Sequence, residues 1–402
     1  MIIRESYLNN IEPFMNKPVV KIISGMRRSG KSTLMKMLID KLEKSGVNKN
    51  DIIYISKELM AFDFIKDYKT LYDYIKKTLP KNKNAKYLFI DEVQEIEGWE
   101  KAVNSLLAEG AADIFLTGSN SRMMSDELAT ILTGRYIVIP MHPLSFKEFL
   151  QFRKVKNEEQ YEKEFGLYLK YGGLPGIHFL KLEDEIVFQY IESIFNTILL
   201  KDVVQRYQVR DVTLLERITK FIFDNSGSIT TAKKISDYLK SQNISAGVQT
   251  VQNYISYIME AFLIKRAERY DIKGKRHLEL YDKYYFNDSG IRHSLLKYRQ
   301  DDISKLLENT VYLELIRRGY TVTFGKLDNL EVDFIAEKNS EKVYIQVCYL
   351  LSSKETEDRE FGSLEKIADN YKKIVLSMDN FWGSDRNGII RMNIIDFLIE
   401  SE

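Results

Sequence analysis

Residues 25–33 read Gly-Met-Arg-Arg-Ser-Gly-Lys-Ser-Thr, two glycines closed by a lysine and two hydroxyls. The flanks decide what this segment can become. Val19, Val20, Ile22 and Ile23 make a short β-branched run before it, and Leu34, Met37, Leu38 and Leu42 recur at helical spacing after it. The pattern predicts a buried strand, a tight loop and a helix opening near Lys31, the arrangement that cradles a phosphate. Gly25 and Gly30 let the backbone turn without a Cβ. The N–H groups of Met26, Arg27, Arg28, Ser29 and Gly30 can then face phosphate oxygens. The helix start adds its positive dipole end. Lys31 is the expected partner of the β- and γ-phosphates and Ser32 the expected Mg²⁺ ligand, with Thr33 completing the contacting run.

A chain of 402 residues has room for two or three domains, and 44% hydrophobic with 12% aromatic residues describes a globular protein. Lys and Arg number 59 against 58 Asp and Glu, so any surface for nucleic acid has to be local. The single cysteine, Cys348, excludes a disulfide framework and a thiolate metal cluster and suits a reducing cytoplasm. Four histidines leave little for a zinc site. The start, Met-Ile-Ile-Arg-Glu-Ser, lacks the apolar stretch of a signal peptide, and no run approaches the roughly 18 apolar residues of a membrane span. A soluble cytoplasmic protein without a membrane partner is expected.

Tyr87-Leu88-Phe89-Ile90 is an apolar run closing on Asp91-Glu92, expected as a strand beside the phosphate-loop strand with its acids at the ligand end. Asp91 would hold Mg²⁺ and Glu92 would orient the attacking water, the more so because residues 51–55 supply an intervening strand. A third strand, Asp113 to Thr117, leads to Gly118-Ser119-Asn120-Ser121; Asn120 or Ser119 is placed to bond a terminal phosphate or that water, or else is part of a polar turn. These segments come in order with Leu132-Thr133-Gly134-Arg135 and with Pro143-Leu144-Ser145-Phe146-Lys147-Glu148-Phe149. Together they resemble a large family of prokaryotic AAA-type ATPases, close to the signal-transducing STAND class, with a C-terminal domain of unknown function. The resemblance spans almost the whole chain and implies an ATP hydrolase with ATP and Mg²⁺ as ligands. It implies an arginine finger at Arg135, often supplied by a neighbouring subunit, and a helical lid containing Tyr171-Gly172-Gly173-Leu174-Pro175.

Beyond Val203 the pattern changes. Apolar faces on Leu214–Ile222, Ile235–Leu239 and Val248–Phe262, followed by an alternating stretch from Leu263 to Phe286, read as three helices and a hairpin, a winged helix-turn-helix. Lys265, Arg266, Arg269, Lys273, Lys275 and Arg276 make the hairpin basic. On double-stranded DNA the third helix would offer Gln249, Thr250, Gln252 and Asn253 to bases, yet it carries no Lys or Arg. After Arg292 an αβββαβ order resembles the restriction-endonuclease-like fold, with helices at residues 303–317 and near 360–370. Asp333 matches that fold's aspartate and Glu308 its helix acid, but Gln346 and Cys348 stand where its second acid and lysine belong, and Lys354 has no supporting spacing.

The expected fold is therefore α/β: a P-loop NTPase parallel sheet (1–145), a helical lid (146–203), a winged helix (204–290) and a small degenerate nuclease-like α/β domain (291–402). The leading function is ATP binding with slow hydrolysis that switches interdomain packing or homo-oligomerisation. The alternatives are a DNA-binding regulator with a structural nucleotide and an ATP-gated Mg²⁺-dependent nuclease.

Overall fold

A computed structural model describes residues 2–82, 84–121, 132, 134–274, 276–380 and 385–400, with backbone alone at 276–280. The chain divides into two compact units, Met1–His142 with Glu260–Phe262, and Pro143–Met259 with Leu263–Glu402.

In the first unit β1 (Val20–Gly25), β2 (Ile52–Ser56), β3 (Tyr87–Asp91), β4 (Asp113–Gly118) and β5 (Tyr136–Met141) form one parallel sheet in the order β2-β3-β4-β1-β5. Helices α1 (Glu5–Ile11), α2 (Lys31–Lys44), α3 (Tyr68–Thr78) and α4 (Trp99–Ala108) cover it. Strand alternation sorts the core: Val20, Ile22, Leu88, Ile90, Ile114 and Leu116 pack with α3 and α4, whereas Ile23, Phe89, Phe115 and Met141 pack with α1 and α2. Lys21, inside this apolar run, is neutralised by an ion pair with Asp113. One expectation is corrected. The strand bearing Asp91 does not lie beside β1, because β4 is inserted between them, pairing Lys21 with Phe115 and Phe89 with Phe115 on its other side. All three strands are buried throughout, so apolar runs mark each as central without saying which neighbours which.

In the second unit α5 (Phe146–Arg153), α6 (Tyr161–Tyr171) and α7 (Asp184–Thr197) precede α8 (Val212–Asp224), β6 (Ile229–Thr230), α9 (Ala232–Ser241) and α10 (Val248–Glu260). The Ser-Phe-Lys-Glu run at 145–148 is a capping box that opens α5. Strands β7 (Ile264–Asp271) and β8 (Arg276–Phe286), α11 (Ser289–Leu296) and α12 (Ile303–Arg317) follow. Then come β9 (Thr321–Leu327), β10 (Leu330–Lys338), β11 (Glu341–Val347), α13 (Lys354–Glu365), β12 (Lys372–Ser377), β13 (Ile390–Asn393) and α14 (Ile394–Ile399). Eight strands form one sheet, β13-β12-β11-β10-β9-β7-β8-β6. The hairpin is thus no free-standing wing: β7 pairs with β8 on one side and runs parallel to β9 on the other, from Glu268↔Thr323 to Asp271↔Lys326. The helix expected near 360–370 begins earlier, because the Ser353 hydroxyl accepts the Thr356 N–H and starts α13 there.

The Gly172-Gly173 pair is a close backbone turn. Gly172 has φ 77°, and a Cβ there would stand 2.3 Å from Asp288 Oδ1, while one at Gly173 would stand 2.5 Å from the Leu144 carbonyl oxygen. Asp288 accepts the N–H groups of Gly173 (2.8 Å) and Ile291 (3.0 Å), so it ties this turn to the start of α11.

Candidate functional site

The loop from Gly25 to Gly30 joins the carboxyl end of β1 to α2, as a phosphate-binding turn requires. Gly25 is needed for close packing against β5, since a Cβ would lie 2.1 Å from the Met141 carbonyl oxygen. Gly30 is needed for conformation, with φ 107° at the helix N-cap. Arg28 also takes a left-handed φ of 68°. Lys31 is buried and its Nζ donates to the carbonyls of Gly25 (3.0 Å) and Met26 (3.2 Å). Ser29 Oγ is buried without a hydrogen-bond partner among the described residues. A loop whose two glycines are both required, an orphaned hydroxyl and a buried ammonium together fit a bound phosphate chain.

Across the sheet, β3 delivers two acids with different surroundings. Asp91 is 1% exposed and accepts from Thr117 Oγ1 (2.5 Å) and from the Tyr54 hydroxyl (3.1 Å). Burial, and then the Asp91 carboxylate, push the Tyr54 phenol far above its ordinary range, so it remains a donor. Glu92 turns left-handed, φ 55°, and its N–H donates to the same Thr117 Oγ1 (2.9 Å). Its Oε2 accepts from Gln94 Nε2 (2.5 Å) and Ser119 Oγ (3.1 Å), and its Oε1 is 3.6 Å from Lys31 Nζ. Burial works against the charged carboxylate, but Lys31, then Arg27, then the Gln94 and Ser119 hydrogen bonds outweigh it and hold Glu92 below the usual range. Glu92 is therefore ionised at neutral pH.

Gly25, Met26, Arg27, Arg28, Ser29, Gly30, Lys31, Ser32 and Thr33 form the loop and first helical turn; Glu92 reaches Lys31, Ser119 holds Glu92, and Asp91 is linked to Glu92 through Thr117. Asn120 is buried beside them, its carbonyl accepting from Ser24 Oγ (3.4 Å). Arg135 is not brought to this loop. It precedes β5, its carbonyl accepts the Val20 N–H, and Val20 and Gly25 lie at opposite ends of β1, roughly 16 Å apart. Its guanidinium donates to Asn104 Oδ1 on α4 (2.7 Å). Thr133, in the run that ends on Arg135, lies outside the described residues.

Four residues of this site escape a sequence reading: Thr117, Gln94, Tyr54 and Arg4. Arg4 is 5% exposed and donates to the carbonyls of Ser29 (3.1 Å) and His142 (3.0 Å), stapling the phosphate loop to the end of β5. Polar side chains at strand ends were the one available signal for Thr117. Arg4 is 21 residues upstream of the loop and carries none.

In the second unit Asp333 and Glu308 do come near one another, whereas Cys348 is buried with its thiol pushed up to about 12 by burial and then by Glu360. Gln346 Oε1 accepts the Asp333 N–H (3.1 Å), and Lys354 is exposed at the first turn of α13. Among the hairpin cations, Arg266 pairs with Glu268 (2.7 Å) and Asp282 (3.8 Å), and Lys273 with Asp328 (3.3 Å). Lys275 and the Arg276 side chain lie outside the described residues. On α10, Gln249 donates to Asn253 (3.1 Å).

A strand–loop–helix cradle, a buried lysine, and two acids on a strand separated from it by one other define an AAA-type P-loop ATPase fold. Comparison with known proteins agrees. Residues 17–150 match the family described as AAA domain, and residues 162–302 match a domain of unknown function, DUF8612. An uncharacterized protein of Haemophilus influenzae is 36% identical over 401 residues, covering 100% of this chain and 99% of its own. A second, from Methanocaldococcus jannaschii, is 31% identical over 88% of this chain and 79% of its own length. The chain belongs to the family of these two proteins, and its residues 17–150 are an AAA domain. Among solved structures, a Walker-type ATPase of Pyrococcus abyssi superposes over 74% of this chain and 96% of its own, with a TM-score of 0.51 at 16% identity, a likeness of fold. Membership in an AAA-domain family implies nucleotide binding, usually with Mg²⁺. No helix among the described residues is long and apolar enough to cross a membrane.

Proposed function

We propose that the first unit binds ATP in the loop of residues 25–33 and hydrolyses it slowly, and that turnover switches the packing of the second unit or self-association. The observation that carries this reading is Glu92, an ionised, buried carboxylate held by Ser119 and Gln94 and 3.6 Å from the Lys31 ammonium. Lys31 now donates to loop carbonyls; phosphate oxygens compete for those donors and for its charge, which frees Glu92 to accept a proton from the attacking water. Mg²⁺, when bound, would neutralise phosphate charge; Ser32 and Asp91 are the residues that would hold it, with Thr117 and Tyr54 orienting Asp91.

Arg135 stands beside the start of β1, at the opposite end of the strands from its own loop, so a role at a phosphate requires a second copy of the chain. The hairpin is read as a docking element rather than a DNA wing, because Arg266, Lys273 and Lys283 are paired with acids of the same unit. Two substitutions test the proposal. Glu92→Gln should bind ATP normally and lose at least about a hundredfold in hydrolysis, while Lys31→Ala should weaken ATP affinity by about tenfold or more. Wild-type turnover in Glu92→Gln would refute it.

A further inference from the structure

The second unit contains a charged cluster that nucleotide chemistry does not use. Lys283 lies on β8 opposite Ala267 of β7, a small partner that lets the long side chain pass. Its ammonium stands 5.3 Å from the Phe324 ring centroid on β9, 2.7 Å from Glu331 Oε1 on β10 and 3.1 Å from Glu308 Oε1 on α12. The side chain is 3% exposed. The Tyr285 hydroxyl donates to the same Glu308 oxygen (2.7 Å). Asp333, also on β10, accepts the Val347 N–H (2.9 Å). Burial, and then Glu308, push its carboxyl far above the usual range while Lys283 pulls the other way.

Two carboxylates, Glu308 and Glu331, thus contact one ammonium, and Asp333 lies near enough for that charge to act on it. Acids gathered on a strand and a facing helix, away from water, need a cation, and a divalent ion held by oxygens is one common solution. Here the chain supplies the charge itself, and no group of three or more His, Cys, Asp or Glu among the described residues is arranged to hold a metal ion. We propose that Lys283 is a resident cation. It takes the place among Glu308, Glu331 and Asp333 that a divalent metal ion would otherwise take, leaving the second unit metal-independent, and the cluster becomes a divalent-cation site only when that ammonium is removed. The same ammonium fastens β8 to β10 and α12. The inference is independent of the ATP reading, since neither the cluster nor its test involves nucleotide.

The test is Mn²⁺ titration of the full-length, nucleotide-free protein, read by calorimetry and by the electron paramagnetic resonance of free Mn²⁺. Lys283→Met keeps the unbranched stem, one atom shorter, and removes the charge. It should gain one Mn²⁺ site at least about tenfold tighter than any in the wild type, and a second substitution, Asp333→Asn, should abolish it. Lys283→Arg should stay without that site. If Lys283→Met folds only with Mn²⁺ present, the proposal stands. Recovery with neither Mn²⁺ nor Mg²⁺ overturns it, as does a folded Lys283→Met protein that gains no Mn²⁺ site. Wild-type Mn²⁺ binding that disappears in Asp333→Asn also overturns it, because the site would then be a working metal centre with Lys283 beside it.

Discussion

Thr117→Val removes one hydroxyl that organises both acids of the ATPase site. Oγ1 donates to Asp91 at 2.5 Å and accepts the Glu92 N–H at 2.9 Å. Thr117 is fully buried, so no solvent replaces what is lost. The charge-assisted bond is worth about 1.5–3 kcal/mol and a stranded N–H costs about 1–3 kcal/mol, together about 2.5–6 kcal/mol. Glu92 has a way to escape part of this. Its left-handed backbone, φ 55°, costs about 1–2 kcal/mol by itself and relaxes once the N–H has no acceptor. Relaxation swings the carboxylate off Ser119, so some 3 kcal/mol should appear as lost rate, about a hundredfold. Single-turnover hydrolysis should fall by that factor, while ATP affinity measured without divalent ions should stay within about threefold. Thr117→Ser, which keeps the hydroxyl, should restore the rate to within about threefold. Wild-type turnover in Thr117→Val would refute the reasoning, as would equal losses in both Val and Ser variants.

Gln94→Ala should lower turnover about tenfold with little change in ATP affinity and shift the acid limb of the pH profile upward, because Glu92 loses a donor that favours its charged form; an unmoved limb would remove Gln94 from the site. Arg135→Ala should be slow alone and regain activity when mixed with Glu92→Gln, as one chain supplies the arginine and the other the carboxylate; no gain on mixing would leave Arg135 as the anchor of Asn104. His293 is 2% exposed, and burial lowers its pKa from 6.5 to about 4. The unfolded chain therefore binds the proton first, and the stability contributed is intact above pH 6.5 and lost as pH falls towards 4, by up to roughly 3 kcal/mol. Urea titrations of wild type and His293→Gln at pH 7 and pH 4.5 should differ by that amount in their acid loss, and parallel losses would contradict it.

The first unit was legible because its chemistry is local. A loop needing two glycines, a lysine and a helix start has to be contiguous, and each strand advertises itself by burial on both faces. What was hidden is assembled across the chain. The insertion of β4 between β1 and β3 is set by packing, to which apolar runs are indifferent. Arg4 meets Ser29 only because α1 folds back, and Thr117 serves two acids 25 and 26 residues away. In the second unit the order of elements was readable, but Lys283 was not: it replaces nothing at the spacing where a lysine was sought, and arrives from another strand.

The seam between β7 and β9 also governs how this protein tolerates being cut. An open sheet is most exposed to unwanted pairing along its outer strands, and short outer strands blunt that hazard. The eight-stranded sheet ends in β6, of 2 residues, and β13, of 4. A polypeptide ending before Thr321 would replace β13 by β7 as an outer strand, baring one long side of an 8-residue strand. Such a fragment should be aggregation-prone even with every residue of the nucleotide site intact.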